Sequence, residues 1–265
     1  MLNNSKPVGI VLTEPHSFGD SLYHPCLQKI EQDLLAIERS VLECATAGCS
    51  SIWVCCSDSM QPIVRSRLGA YVRDPLILRK SSFTNYPEDN RINIPIYFYS
   101  PHPKDRYRRP GPAWDMLNCC LAIYYFSFSF SKWLSPNKYY ISSCYGLYDI
   151  EALSKHRKQF MQNENTILTH GEKSMFSGDY LAACLTGDFI KDTIIALKRR
   201  PVSKKSNVLH LENLDLPTKY KNLQIDEYFS CDSWENYVEY IKNKKFRFKY
   251  NRKVFFNMNS NGVEC

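Results

Sequence analysis

A cluster of basic residues is the strongest chemical signal in this chain. It falls within six residues and comprises Lys104, Arg106, Arg108 and Arg109. A helix is predicted to begin near Pro112, and the N–H groups and positive dipole at its start attract the same anion as these side chains. The cluster therefore predicts an anion clamp suited to a phosphate group. The alternative, a surface loop with solvated arginines, stays open.

A second candidate lies at the end of the first apolar run, residues 8 to 12. The polar loop that follows can present backbone N–H groups to a phosphate, and Gly19 allows a ligand to approach closely. The candidate contacts are Leu12, Thr13, Glu14 and Gly19. The loop matches neither the dinucleotide-binding nor the P-loop glycine pattern. An ordinary polar loop is therefore the alternative interpretation.

A third candidate is Asp149, which follows the apolar stretch at residues 138 to 142. A carboxylate just beyond a buried strand can hold a divalent cation that bridges protein and phosphate oxygens. The same residue precedes a predicted helix, where aspartate commonly caps the first turn. Metal ligand and helix cap both remain open for Asp149.

The order of apolar and amphipathic segments predicts what positions these residues. A strand at 8–12, a helix through Val41 and a strand at 51–56 form a β-α-β unit, which places ligands at the carboxyl ends of its strands. Helix and strand continue to alternate, so we predict a mainly parallel sheet covered by helices. Residues 208–211 and 225–229 are candidate late strands. We predict one α/β domain over residues 1–241.

The remaining residues, 242–265, begin with a basic and aromatic segment. Between Lys242 and Lys253 basic residues alternate with Phe246, Phe248 and Tyr250, and no acidic residue occurs. Such a segment can bind nucleic acid through phosphate contacts and base stacking. A half-buried terminal strand explains the same alternation. Both interpretations are kept.

Composition limits the class of protein. The chain has 265 residues, a net charge of +7 and 11 cysteines, and its longest apolar stretches fall short of a membrane span. The cysteines lie inside apolar segments and form no C-x-x-C pair, which favours reduced, buried thiols over disulfides or structural zinc. We therefore expect a cytoplasmic protein without a membrane span.

Taken in order, these segments resemble the nucleotidyltransferases of sugar-nucleotide metabolism, whose Rossmann-like fold is shared with GT-A glycosyltransferases. Residues 8–20 resemble the family's first strand and glycine-rich loop, and residues 24–27 resemble its Pro-Lys-x-Leu element. Residues 111–113 are similar to a Gly-Thr-Ala segment, and residues 231–237 to a closing Asp-x-Asp-Thr-x-Glu-Asp-Tyr element. The resemblance covers roughly residues 8 to 240.

The resemblance implies a three-layer α/β fold and a site for a nucleotide or nucleotide sugar with Mg²⁺ or Mn²⁺. It implies base contacts from Gly111, Pro112 and Ala113, and a metal contact from Asp149. Two family cations are absent, because the loop lacks its arginine and Cys26 replaces the lysine. We expect Lys104, Arg106, Arg108 and Arg109 to supply that charge in the transition state.

Two functions follow as expectations. The first is a divergent nucleotidyltransferase or glycosyltransferase that acts on a nucleotide or nucleotide sugar. The second is a catalytically inactive relative that binds a partner or nucleic acid through its basic C-terminal segment. The sequence identifies neither the nucleobase, the sugar nor the acceptor.

Overall fold

A computed structural model of the chain shows an eight-stranded sheet with helices on both faces. The structure describes residues 6–13, 24–31, 33–81, 93–104, 110–131, 135–199, 208–243 and 252–256. Glu14, Gly19, Arg106, Arg108, Arg109 and the aromatic residues at 246, 248 and 250 lie outside the described residues.

The strands of the described residues are β1 (Val8–Leu12), β2 (Lys29–Glu31), β3 (Leu34–Leu35), β4 (Ile52–Cys55), β5 (Tyr71–Arg73), β6 (Asn93–Tyr99), β7 (Lys138–Ser143), β8 (Gly146–Leu147), β9 (Asn165–Thr169), β10 (Ala183–Thr186), β11 (Tyr220–Gln224) and β12 (Phe229–Ser230). The α-helices are α1 (Ala36–Ala47), α2 (Gln61–Leu68), α3 (Pro75–Ser81), α4 (Pro112–Phe130), α5 (Arg157–Phe160), α6 (Gly187–Arg199), α7 (Trp234–Asn243) and α8 (Arg252–Phe255). Short 3₁₀ turns lie at Pro25–Leu27, Ala152–His156, Met175–Ser177 and Leu211–Asn213.

The large sheet is mainly parallel, in the order β11-β9-β10-β7-β1-β4-β6-β5. β1 pairs in parallel with both β4 and β7, and β4 pairs in parallel with β6. β10 runs antiparallel between β7 and β9, and β11 is parallel to β9. Consequently β1, β4, β6, β7, β9 and β11 all end at one edge, hereafter the carboxyl edge.

Two apolar cores lie on opposite faces of the sheet. One contains α1, through Ile37, Val41 and Leu42. The other contains α4 and α6, through Met116 and Ile194. The alternation of side chains along each strand supplies both cores at once. These three layers confirm the predicted Rossmann-like, mainly parallel α/β architecture.

The predicted late strands are wrong in their positions. Leu211–Asn213 forms a 3₁₀ turn, whereas the strand in this part of the chain is β11, Tyr220–Gln224. Only Leu223 of β11 is buried, because β11 is an edge strand with one face in solvent. Its sequence therefore lacks the apolar alternation by which a strand is recognised. Of the predicted strand 225–229, only Phe229 pairs, in the short β12.

Candidate functional site

The predicted phosphate loop leaves β1 at the middle of the carboxyl edge. The N–H and the hydroxyl of Thr13 both donate to the carbonyl of Cys55, at 3.3 and 2.9 Å. The carbonyl of Thr13 accepts from the hydroxyl of Tyr145, and that of Leu12 accepts from the N–H of Cys144 at 3.2 Å. Thr13 is buried, and both of its donors are used inside the protein. Leu12 and Thr13 therefore anchor the loop, and phosphate donors must come from residues further along it.

The predicted base-contacting segment lies at the start of α4, close to the end of β4. Its proximity is shown by the thiol of Cys55, which donates to the carbonyl of Asp115 at 3.8 Å. The N–H of Ala113 donates to the carbonyl of Leu209 at 3.2 Å, and the N–H of Leu209 donates to the carbonyl of Pro110 at 2.7 Å. The segment therefore lies at the predicted edge of the sheet, but one of its donors, the N–H of Ala113, is already bonded to the backbone of Leu209.

Gly111 is required for this close packing. Its φ is +130°, outside the range that other residues readily adopt, and a Cβ atom there would lie 2.4 Å from the carbonyl oxygen of Leu209. Pro112 follows as the first helical residue, a position that needs no N–H donor. Residues 111 to 113 therefore form a rigid wall at the edge.

Lys104 is the member of the basic cluster that the structure describes. It is exposed, and its backbone N–H donates to Nδ1 of His102 at 3.2 Å. It follows β6, so it leaves the same edge of the sheet as the loop after β1. The charge of Lys104 is therefore at the solvent side of the edge.

Asp149 caps a turn. Its Oδ1 accepts the N–H of Glu151 at 2.8 Å, and the residue is exposed. The resemblance placed the metal carboxylate in the segment from Cys144 to Asp149, and the structure has the buried thiol of Cys144 at the start of that segment. Within the described ranges no group of three His, Cys, Asp or Glu side chains could hold a metal ion. Asp149 by itself is not a complete ligand set.

A second polar group lies at the carboxyl edge, where β9 and β11 end, and its Lys173 was not predicted from the sequence. His170 and Lys173 pair through their backbones in a tight turn that follows β9. The ammonium of Lys173 lies 4.0 Å from Oδ1 of Asp179 and 5.5 Å above the ring of Tyr228. The apolar pair Ile167–Leu168 followed by Gly171 was the available signal for this strand and turn.

In this group a hydrogen bond holds the phenol of Tyr228 in place, whereas the ammonium of Lys173 is exposed. The hydroxyl of Tyr228 accepts the N–H of Tyr180 at 2.9 Å, and burial raises the pKa of Tyr228, so the phenol stays neutral. The side chain of Lys173 is 57% exposed, and its nearest charged and aromatic neighbours are Asp179 and Tyr228. Lys173 is therefore placed to bind an anion at the edge.

A buried polar network supports the edge from below. Glu43 of α1 accepts hydrogen bonds from Arg39 at 2.5 Å, from Tyr140 at 2.8 Å and from Ser142 at 2.8 Å, and a further one from Tyr148. All five residues are fully buried. α1 therefore contacts β7 and the segment after it through a buried carboxylate as well as through apolar packing.

The protonation states of this network follow from its geometry. Burial alone would lower the pKa of Arg39, but Glu43, Tyr148 and Tyr140 together outweigh it, and the pKa is raised. Burial raises the pKa of Tyr140 and of Tyr148, with a further contribution from Glu43. Both phenols are therefore donors, and the guanidinium stays charged 4.3 Å above the ring of Tyr148.

Residues 252–256, at the end of the basic segment, pack on the domain. Arg252 is buried and donates to Oε1 of the buried Glu38 and to the carbonyl of Arg67. Phe256 pairs with Val72 of β5. Arg252 is thus part of the folded core, and the nucleic-acid interpretation of this segment depends on residues before it.

Comparison with known proteins identifies the fold. No protein-family model matches the sequence, and no curated protein matches it at a significant level. Solved structures share its fold. A Bacillus anthracis protein described as a glucose-1-phosphate thymidylyltransferase, in complex with a sucrose, has a TM-score of 0.57 at 8% identity, over 91% of this chain and 97% of that chain.

Two further structures agree. UDP-glucose pyrophosphorylase complexed with UDP-glucose has a TM-score of 0.54 at 10% identity, over 91% of this chain and 100% of that chain. The 4-diphosphocytidyl-2C-methyl-D-erythritol synthase from Anaerococcus prevotii has a TM-score of 0.54 at 9% identity, over 92% and 98%. The chain therefore has the fold of the nucleotidyltransferases, as the resemblance predicted.

None of the helices described is long and apolar enough to cross a membrane.

Proposed function

We propose that the carboxyl edge binds a nucleotide or nucleotide sugar, and that the protein is a divergent cytoplasmic transferase. The observation that carries the proposal is topological. β1, β6 and β9, which precede Thr13, Lys104 and Lys173, all end at this edge, and Cys55 at the end of β4 contacts Asp115 beside the wall at residues 111–113. Ligands of open α/β sheets bind at this edge. The nucleotidyltransferase fold of the chain also favours a ligand site at the carboxyl edge.

The charges at the edge suit a phosphate ligand. In nucleotidyl transfer an acceptor oxygen bonds to the α-phosphorus and the bond to pyrophosphate breaks; in glycosyl transfer the sugar leaves the nucleotide instead. Both reactions develop negative charge on phosphate oxygens, which cations stabilise. We assign this role to Lys173 and to the basic cluster of Lys104, Arg106, Arg108 and Arg109.

The remaining assignments complete the proposed site. We place the base against Gly111, Pro112 and Ala113 and the phosphates on the loop of Thr13, Glu14 and Gly19 that follows Leu12. Asp149 is our proposed contact for Mg²⁺ or Mn²⁺, which would neutralise phosphate charge. A single carboxylate does not make a complete metal site, so further ligands would have to come from the nucleotide phosphates and water.

Thermal unfolding with a panel of nucleoside triphosphates and UDP-, CDP-, GDP- and ADP-linked sugars tests the proposal, with and without Mg²⁺ and Mn²⁺. A ligand that binds only the folded state raises the melting temperature. Lys173→Ala should weaken binding roughly 10- to 100-fold, the value of one charge-assisted hydrogen bond. Asp149→Ala should remove any dependence on metal.

Lys221→Ala is the matched control, because Lys221 is similarly exposed at 49% and pairs with Glu164 near the start of β11, away from the carboxyl edge. It should bind as the wild type does. An absence of any ligand-dependent shift, or equal losses in Lys173→Ala and Lys221→Ala, would contradict the proposed site.

The alternative function is an inactive relative that binds a partner or nucleic acid. Its supporting observation is that donors of Thr13 and Ala113 are already used within the chain. Nucleic-acid binding through residues 242–253 would weaken steeply as salt concentration rises. Nucleotide binding in the proposed site would depend on the identity of the ligand instead.

A further inference from the structure

The end of α4 carries an exposed aromatic surface that the proposed site does not use. Five side chains in its last two turns are 41 to 70% exposed: Tyr124, Tyr125, Phe126, Phe128 and Phe130. No charged residue occurs between Asp115 and Lys132 of the sequence. Large contiguous apolar patches on soluble proteins usually mark an interaction site.

The exposed rings form two contacting sets on different sides of α4. Trp53 and Tyr97 on the neighbouring strands contact each other, with ring centroids 4.9 Å apart, and Trp53 contacts Phe126 at 5.8 Å. Phe126 contacts Phe130 at 5.0 Å. Across the helix, Phe128 stacks on Tyr124 at 5.9 Å. We call the projecting side chains of Phe126, Phe128 and Phe130 the aromatic knob.

A groove lies beside the knob, between α4 and α6. Its volume is about 570 Å³, and its apolar lining includes Leu121, Ile190, Ile194 and the partly exposed Ile195. Tyr124 lines the groove and also stacks on Phe128, so groove and knob are adjacent parts of one surface. One molecule thus presents a projection and a recess side by side.

This arrangement is self-complementary. In a two-fold dimer each patch meets its own copy, so the knob of one molecule and the groove of the other can engage twice. An aromatic side chain offers about 150 to 250 Å² of surface, and the exposed fractions of Tyr97 and the five helix aromatics then sum to about 600 Å² per molecule. Standard interfaces bury about 800 Å² per partner, and the groove supplies the remainder.

Charge also favours this surface for self-association. The chain carries a net charge of +7, so two copies repel each other over most orientations. The groove lining includes Asp188, Lys191 and Lys198, whereas the knob carries no charge, so a knob that enters the groove of a second copy brings no like charge beside these lysines. We propose that the aromatic knob and the adjacent groove form a symmetric interface between two copies of this chain.

Sedimentation velocity of the full chain, from about 1 to 100 μM, tests the proposal. The wild type should sediment as a dimer, with twice the chain mass of 30.9 kDa. Phe130→Lys on the knob, 70% exposed, and Ile195→Lys in the groove, 39% exposed, should each raise the dissociation constant by about 30-fold or more. Both sites are at the surface, so the melting temperature of each variant should stay close to that of the wild type.

Trp234→Lys is the control, because Trp234 is an exposed aromatic residue, 57% exposed, on α7. It should remain dimeric. A monomeric wild type, or a dimer that survives both Phe130→Lys and Ile195→Lys, would overturn the proposal. A monomer that binds anionic phosphatidylglycerol vesicles would also overturn it, in favour of a membrane-facing role. The experiment does not depend on nucleotide binding.

Discussion

Glu43→Gln is the substitution that tests most directly how the carboxyl edge is held. Glutamine preserves the shape of the side chain but removes its charge. The guanidinium of Arg39 can only donate, so the amide oxygen must face it, and the amide nitrogen must face the phenols of Tyr140 and Tyr148. A hydroxyl can rotate to accept, so most hydrogen bonds survive. The chief loss is the ion pair.

The magnitude follows from burial. Arg39 and Glu43 are both fully buried, 2.5 Å apart. Removing one partner of a buried ion pair typically costs about 3 to 5 kcal/mol, because the other charge is left uncompensated. The free energy of unfolding of a whole domain is about 5 to 15 kcal/mol. Glu43→Gln should therefore remove a large fraction of the stability, and Arg39→Met should cost a similar amount.

Urea unfolding at pH 7, followed by fluorescence and circular dichroism, measures the effect. The double variant Arg39→Met/Glu43→Gln should cost at least about 2 kcal/mol less than the sum of the single variants, because neither charge is then left alone. Glu164→Gln is the control, since its pair with Lys221 is about half exposed and should contribute under about 1 kcal/mol. A loss below about 1 kcal/mol in Glu43→Gln, or strict additivity, would refute the reasoning.

Two further predictions concern stability. Gly111→Ala should destabilise the protein by about 2 to 4 kcal/mol, because the added Cβ would meet the carbonyl of Leu209 at a positive φ. In the control Gly171→Ala the added Cβ has open space, so only the positive φ opposes it and the cost should be about 1 kcal/mol. The melting temperatures of both variants measure these effects. Burial raises the pKa of the Cys144 and Cys184 thiols from 9.0 to about 12. The unfolded chain therefore loses these protons first, and the free energy of unfolding should fall between about pH 9 and 12. Cys144→Ala/Cys184→Ala should flatten that decline in urea titrations, and an unchanged slope would contradict it.

The fold could be predicted where apolar periodicity was strong. β1, α1 and β4 followed from it, because their apolar residues face two cores and leave few alternatives. β11 could not be predicted, since only Leu223 of that edge strand is buried. Its position is instead determined by pairing with β9, a long-range contact that no local pattern records.

The placement of the candidate site residues was predicted in part, for a similar reason. Strand order brings residues after β1, β6 and β7 to one edge, and the chain order of the segments indicated this. The hydrogen bonds that Thr13 and Ala113 donate to the carbonyls of Cys55 and Leu209 join residues far apart in the sequence. They could therefore not be predicted from the sequence. The position of Lys173 likewise depends on the direction of β9, which follows only from its pairing with β10.

The polar face of α1 links stability to the geometry of the edge. A helix buried on all sides is usually apolar, yet α1 places Ser40 and Glu43 against β7 and its continuation. Ser40 donates to the carbonyl of Ser143 at 3.0 Å, and Glu43 binds Tyr148 just before Asp149. Apolar packing tolerates small shifts, whereas these hydrogen bonds require one register. We therefore expect variants of Glu43 that still fold to show altered ligand binding at the edge, although Glu43 itself is buried beneath it.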